Sequence, residues 1–234
     1  MCGRYTTISI QAIAEQFGLP LPDLRPSYNI GPERPILVVR RAEGSGQREI
    51  ASLRWGLIPW WTRDAAMLSP LINARAETAA WRPAFRDSFR QRRCLIPADG
   101  FYEWKGEAGR KQPYFVQMRD GRLFAFAGLW DRWEPPDGDA IESCTILTTN
   151  ANDLVRPLHD RMPVIVRPED YELWLEPGTP MAEVKEILRP YPVEEMRAYP
   201  VSRDVNSMAN DRPELIRPLG DVAEQEAQSQ GRLF

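Results

Sequence analysis

Between residues 94 and 150 the chain is cut into short apolar runs by turn-forming clusters, and this pattern limits the fold more than any other feature. The runs CLIPADGFYEWK, PYFVQMRD, LFAFAGLWDRW and SCTILTT read as strands, and KGEAGRKQ, RDGR and EPPDGDAIE read as the turns between them. Earlier, ILVVR (36–40) and REIASLRWG (48–56) form a strand pair around the turn AEGSGQ, and MPVIV (162–166) is a further short strand. Helical spacing is confined to a few places. In ISIQAIAEQFG (8–18), Ile10, Ile13, Ala14 and Phe17 share a face and Gly18 ends the helix. The stretch around TAAWRPAFRDSFRQ (78–91), PEDYELWLE (168–176) and TPMAEVKEILRP (179–190) also read as helical. Strands without regular βαβ alternation predict an α+β fold, a mostly antiparallel, barrel-like β-sheet core flanked by helices. Twenty-two prolines spread along the chain mark no linker. One domain is therefore expected over 1–219, with a polar C-terminal tail over 220–234.

An apolar fraction of 43% and eight tryptophans belong to a chain with a core to bury. No stretch approaches the ~18 apolar residues needed to span a bilayer, and the first residues show no secretory leader pattern. Three cysteines, an odd number, argue against a disulfide framework and for a reducing compartment, so a cytoplasmic protein is expected. The net charge of −3 does not announce a nucleic-acid partner. The basic residues are nonetheless 27 arginines against the lysines at 105, 111 and 185. A guanidinium fork suits phosphate, although arginine-favouring codon usage accounts for the same bias.

Cys2 stands directly after the initiator methionine. A small residue there permits removal of Met1, which leaves an α-amine beside a thiol. That amine, with an ordinary pKa of about 7.7–8.0, is partly neutral near pH 7. It can attack an aldehyde to give a Schiff base, and the thiol can close on the imine carbon to give a five-membered thiazolidine. Cys94 and Cys144 lie in apolar strand-like contexts and read as core residues.

His159, the only histidine, sits at a loop edge in LHDRMP beside Asp160 and Arg161, and its imidazole can exchange protons near pH 7. In GFYEWK, strand alternation puts Tyr102 and Trp104 on one face and Phe101, Glu103 and Lys105 on the other. A carboxylate among aromatics is a candidate for a raised pKa. Asn73 in LINARAET can donate and accept hydrogen bonds. Trp60 and Trp61 in GLIPWW cannot both bury easily, and exposed rings can stack on unpaired bases. Each of these also has an ordinary reading, as a surface histidine, a solvated glutamate, a capping asparagine or packed tryptophans. Arg4, Arg75 and Arg161 each lie within two residues of a chemical candidate, as a local phosphate track requires. Scattered cysteines and a single histidine do not make a zinc site, so no metal and no cofactor is expected.

Eight segments, MCGRY, SYNIGPE (27–33), RWGLIPWW (54–61), INARAET (72–78), CLIPADGFYEW (94–104), TILTTNAN (145–152), HDRMPVI (159–165) and PVSRDVN (200–206), together resemble the SRAP family. This is the SOS-response-associated peptidase fold whose members crosslink to abasic DNA, and the segments run in family order over roughly residues 1–217. The resemblance implies that Cys2 crosslinks and that Asn73, Glu103 and His159 are its catalytic partners. It implies that Arg4, Arg75 and Arg161 hold DNA phosphates and that Trp60, Trp61 and Trp104 lie near the DNA. Asn29 and Thr148 are implied as lining residues. The implied partner is single-stranded DNA containing an abasic site, or a junction where duplex gives way to single strand, met by a monomer. A weak lyase activity through the same Schiff base is also implied. Two alternatives stay open: a cysteine peptidase with Cys2 as nucleophile and His159 as base, whose proteolysis is limited to removal of Met1 in one form, and a non-covalent single-stranded DNA binder.

Overall fold

Strands β3 (Pro35–Arg41) and β9 (Phe124–Trp133) carry unbroken apolar runs, 36–39 and 124–130, because both of their faces are covered there. Ile36, Val38, Phe124 and Phe126 point into one core, and Leu37, Val39, Ala125 and Ala127 into another. The computed structural model describes residues 2–20, 23–107 and 110–220; the tail expected over 220–234 therefore lies almost wholly outside the described residues.

Around these strands a mixed barrel closes. β4 (Arg48–Trp55) pairs antiparallel with β3, β3 with β6 (Arg93–Ala98), and β6 with β9. β10 (Ile141–Asn150) then pairs antiparallel with β9, from Ile141 opposite Trp133 to Ile146 opposite Gly128, and parallel with β4. The ring of five strands is complete. β5 (Asn73–Arg75) also runs parallel to β10, taking up where β4 leaves it: Cys144 faces Trp55, and Ile146 faces Asn73. Residues 56–72 are an excursion between these two pairings. β11 (Arg161–Pro163) extends β10, and β12 (Ile165–Val166) extends β9.

A second, antiparallel sheet packs against the barrel in the order β13 (Met196–Pro200), β8 (Gln112–Met118), β7 (Gly100–Lys105), β1 (Tyr5–Thr7), β2 (Ser27–Ile30). Its inner face gives Cys2, Tyr5, Phe101, Val116 and Met118 to the core shared with Trp55, Phe126 and Cys144. Its outer face packs Tyr102 and Phe115 on Val201, Val205 and Leu215. The α+β architecture with a largely antiparallel barrel-like core is the expected one, with the two parallel pairings on β10 as its departure.

The helices are short. α1 (Ile10–Phe17) buries Ile13 and Phe17 and ends at Gly18, whose φ of 63° needs no Cβ to be accommodated, with its N–H donating to the Ala14 carbonyl. The helical stretch expected over 78–91 is two helices, α2 (Ala76–Ala79) and α3 (Arg86–Gln91), because Pro83 falls between them. α4 (Tyr171–Leu175) seats Trp174, whose indole N–H donates to the Cys94 carbonyl at 2.8 Å, and α5 (Met181–Ile187) packs beside it. The run CLIPADGFYEWK changes sheets at Asp99, whose carboxylate accepts the backbone N–H groups of Ile8 and Ser9. MPVIV divides at Val164, whose N–H turns to the Leu147 carbonyl at 2.8 Å. Among the described residues no helix is long and apolar enough to cross a membrane.

Barrel closure depends on Gly128, which faces β6 on one side and β10 on the other. A Cβ there would stand 2.8 Å from Cys94 Sγ and 2.9 Å from Ile96 Cδ1. Gly128→Ala should lower stability by about 1–3 kcal/mol, read as a lower urea midpoint at unchanged m-value; an unchanged midpoint would mean that the barrel can widen here at no cost.

Candidate active site

The first residues of the chain run between the barrel and the second sheet, and β1 carries them along β7 so that Tyr5 faces Phe101. Cys2 is fully buried at that seam. Its S–H donates weakly to the Arg4 carbonyl at 3.9 Å. Burial, and next the nearby Glu103 carboxyl, push the thiol pKa far above its usual value, so the sulfur is a neutral S–H at rest. Cys94 and Cys144 are buried core thiols, as expected.

Asn73 reaches Cys2 from the barrel. Where the parallel pairing with β10 resumes, its Nδ2 donates to the Cys2 carbonyl at 2.9 Å. Its Oδ1 is buried with no hydrogen-bond partner, an acceptor left available beside the chain start. Glu103 comes from β7 and is only 2% exposed. Burial raises its carboxyl to about 7, against the pull of the positive amino terminus.

His159 arrives on the loop between β10 and β11, about one-third exposed. That loop is braced by Asn152, whose Oδ1 accepts from Val155 N–H at 3.0 Å and whose Nδ2 donates to the Tyr191 carbonyl at 2.8 Å. Two contacts compete at His159 Nδ1: the Arg161 backbone N–H at 2.9 Å and the Asp160 carboxylate at 2.8 Å. The backbone group can only donate, and Asp160 is largely solvated, so the amide contact decides the tautomer. The neutral ring keeps its proton on Nε2. Burial, reinforced by the amino terminus, lowers its pKa below the ordinary 6.5.

Glu103 and His159 line one cleft of about 530 Å³. Arg4 and Trp104 line it too, as do three residues that sequence reasoning did not single out: Lys111, Arg203 and Asn206. Arg203 and Asn206 lie in PVSRDVN, and Lys111 stands in the turn before β8. The Trp104 indole N–H donates to Asn206 Oδ1 at 2.8 Å.

Other expected site residues stand elsewhere. Asn29 is buried behind the cleft rather than lining it: Oδ1 accepts from Arg4 at 2.8 Å, and Nδ2 holds the carbonyls of Ser207 and Asn210 at 3.0 and 2.7 Å. It pins the 205–210 loop that carries Asn206, and Arg4 shares the task through the Val205 carbonyl at 2.6 Å. Thr148 is fully buried, its hydroxyl directed at the Ala74 carbonyl, and is not among the residues that line the cleft. Arg161 is 8% exposed. Its guanidinium is engaged bidentately by Glu77 at 2.7 and 2.8 Å and by Asn150 Oδ1 at 2.9 Å, so it braces the loop beside His159 rather than offering a vacant fork to phosphate. Arg75, at the end of β5, is exposed. Trp60 and Trp61 are 55% and 48% exposed on the 56–72 excursion. The Trp60 backbone N–H is anchored on Asp131, which faces Ser143 on β10. Neither ring is among the residues that line the cleft.

Residues 1–208 match the family described as SOS response associated peptidase (SRAP). The chain is 44% identical over 223 residues to "Abasic site processing protein YoqW" of Bacillus subtilis, covering 92% of this chain and 99% of that one. It is 34% identical to "Abasic site processing protein HMCES" of Gallus gallus, over 83% of this chain and 67% of the relative. To "Abasic site processing protein YedK" of Escherichia coli it is 31% identical, over 94% and 100%. Among solved structures, a protein from Bacteroides thetaiotaomicron superposes with a TM-score of 0.82 at 28% identity, covering 93% of this chain and 99% of that one. One from Bordetella bronchiseptica gives 0.74 at 32% identity, covering 86% and 100%. With the family pattern spanning nearly all of a chain that folds as its solved relatives do, this protein belongs to the SRAP family.

Proposed function

We propose that this protein processes abasic sites by covalent capture: once Met1 is removed, the α-amine and thiol of Cys2 trap the aldehyde of an abasic sugar in single-stranded DNA. The observation that carries the reading is the convergence of four groups from distant parts of the chain. The Cys2 main chain is held by Asn73 at 2.9 Å, and Glu103, near enough for its charge to raise the Cys2 thiol, lines one cleft with His159. The printed names of relatives as similar as 44% support the substrate class.

The chemistry follows from the protonation states. Glu103, whose carboxyl is raised by burial, accepts a proton from the Cys2 ammonium and frees the amine for attack. His159 presents Nε2–H toward the sugar oxygen and assists ring opening to the aldehyde. Attack gives a carbinolamine, which loses water as the imine forms. Asn73 fixes the geometry, and its open Oδ1 is an acceptor for the new N–H. The thiol adds last: as the S–C bond forms, the sulfhydryl proton passes to the imine nitrogen and the thiazolidine closes. Its buried, protonated state makes the amine the first nucleophile. Until closure, the same imine permits β-elimination of the 3′ phosphate, a minor lyase reaction. Each chain acts once, as a monomer, on a single strand or at a junction. Trp60, Trp61 and Arg75 engage the strand beyond the cleft by stacking and by charge.

Native protein at pH 7.5 should resist iodoacetamide at all three cysteines and take up three labels in guanidinium, read by intact mass. Labelling of Cys2 in the native state would remove the ordering of amine before thiol.

On an abasic single strand, wild type should give a heat-stable crosslink on denaturing gels, and Cys2→Ala and Cys2→Ser should give none. A stable crosslink in both variants rules out the thiazolidine.

The capture rate should rise with pH as Glu103, its carboxyl raised above the ordinary range by burial, loses its proton. Glu103→Gln should flatten that rise and slow capture by roughly 10²-fold or more, measured by single-turnover quenching; an intact rise in this variant would assign the titration to another group.

A further inference from the structure

We infer that Lys111 is a positioning residue of this site: from the cleft rim, its ammonium favours the ionised carboxylate at Glu103 and the neutral ring at His159. Position comes first. β7 and β8 pair from Glu103 opposite Tyr114 to Lys105 opposite Gln112, so Lys111 stands at the hairpin end just before the return strand, close to Gly106. From there it lines the same cleft as Glu103 and His159. The chain uses lysine only three times in 30 basic positions, and this is the one lysine in the cleft.

The charges around the pair support the assignment. Glu103 is shifted first by burial, then by the amino terminus, then downward by Lys111, with Asp160 opposing. His159 is shifted by burial and the amino terminus, upward by Asp160, downward by Lys111, and upward by its contact with Arg161 N–H. Arg4 and Arg203 complete the cationic wall. Lys111 is thus the one side-chain cation that lowers both pKa values, and it is exposed, so salt screens its effect.

The sequence has a single histidine, so its imidazole protons can be titrated by NMR in the full chain without any DNA. In Lys111→Met the His159 midpoint should rise by ~0.3 unit or more at low salt, the size of a solvent-screened unit charge, and the difference should shrink in 0.5 M salt. Lys111→Arg should keep the wild-type midpoint. The low-pH limb of the capture rate should move upward in Lys111→Met only; that consequence rests on the covalent-capture reading, whereas the NMR result does not. An unmoved midpoint in Lys111→Met, or an equal rise in Lys111→Arg, overturns the inference. A shifted midpoint in a protein that forms no crosslink upholds it while removing the capture reading.

Discussion

The hydrogen bond from Asn73 Nδ2 to the Cys2 carbonyl fixes the start of the chain to the barrel, and the rest of the site depends on it. Chain ends ordinarily fray, because little is buried there to offset their conformational entropy. Here the second residue is fully buried, packed in a core that includes Tyr5, Trp55 and Phe126, and its backbone is held by a side chain 71 positions away. Cysteine suits this position because its small, weakly polar side chain can be buried without strong hydrogen-bonding demands. A backbone held in this way carries its ordering cost in folding, and its orientation is part of the native state.

The same burial sets the proton inventory. Glu103 is raised and His159 lowered, opposite directions with one dominant cause, since desolvation disfavours whichever form is charged. The result is a carboxyl raised into the neutral range and an imidazole held more firmly in its neutral form. Tautomer choice adds direction. Because Arg161 N–H occupies Nδ1, the ring turns a donor toward the cleft, and because Glu77 holds the Arg161 guanidinium, that backbone position is itself fixed. The ion pair serves the chemistry from behind.

Much of the fold was legible, and the reasons for the gaps are physical. Strands buried on both faces, such as β9, announce themselves as long apolar runs. β1 and β5, three residues each, are too short to show a period, and β2 hides in a proline-rich segment. The switch of sheets at Asp99 and the division at Val164 are invisible locally, because they are decided by carbonyl and amide partners far along the chain. The site divides in the same way. Cys2, Asn73, Glu103 and His159 could be singled out by residue chemistry together with the family resemblance. What each arginine or polar side chain would spend its hydrogen bonds on could not be read at all. Asn29, Thr148 and Arg161 stood in the right segments and proved to be internal ties, while Lys111 and Arg203 lay in turns that only folding brings to the cleft.

A chain of net charge −3 nonetheless gathers positive side chains at its cleft. Arginine is abundant, but much of it is committed inside the fold. Arg40 is held by Glu49 and Glu142 and stacked at 4.1 Å over Trp130, and Arg93 caps the carbonyls of Phe89, Trp174 and Glu176. Such groups contribute to the total and nothing to the field at the cleft. The field comes from the few cations whose charge faces it, Arg4, Lys111 and Arg203, gathered around a carboxyl that is itself near half-protonated at neutral pH. Local placement, not the sum, sets the sign of the potential that an incoming phosphate meets. Composition therefore misled twice: the negative total understated the site, and the arginine count overstated the charge available to it.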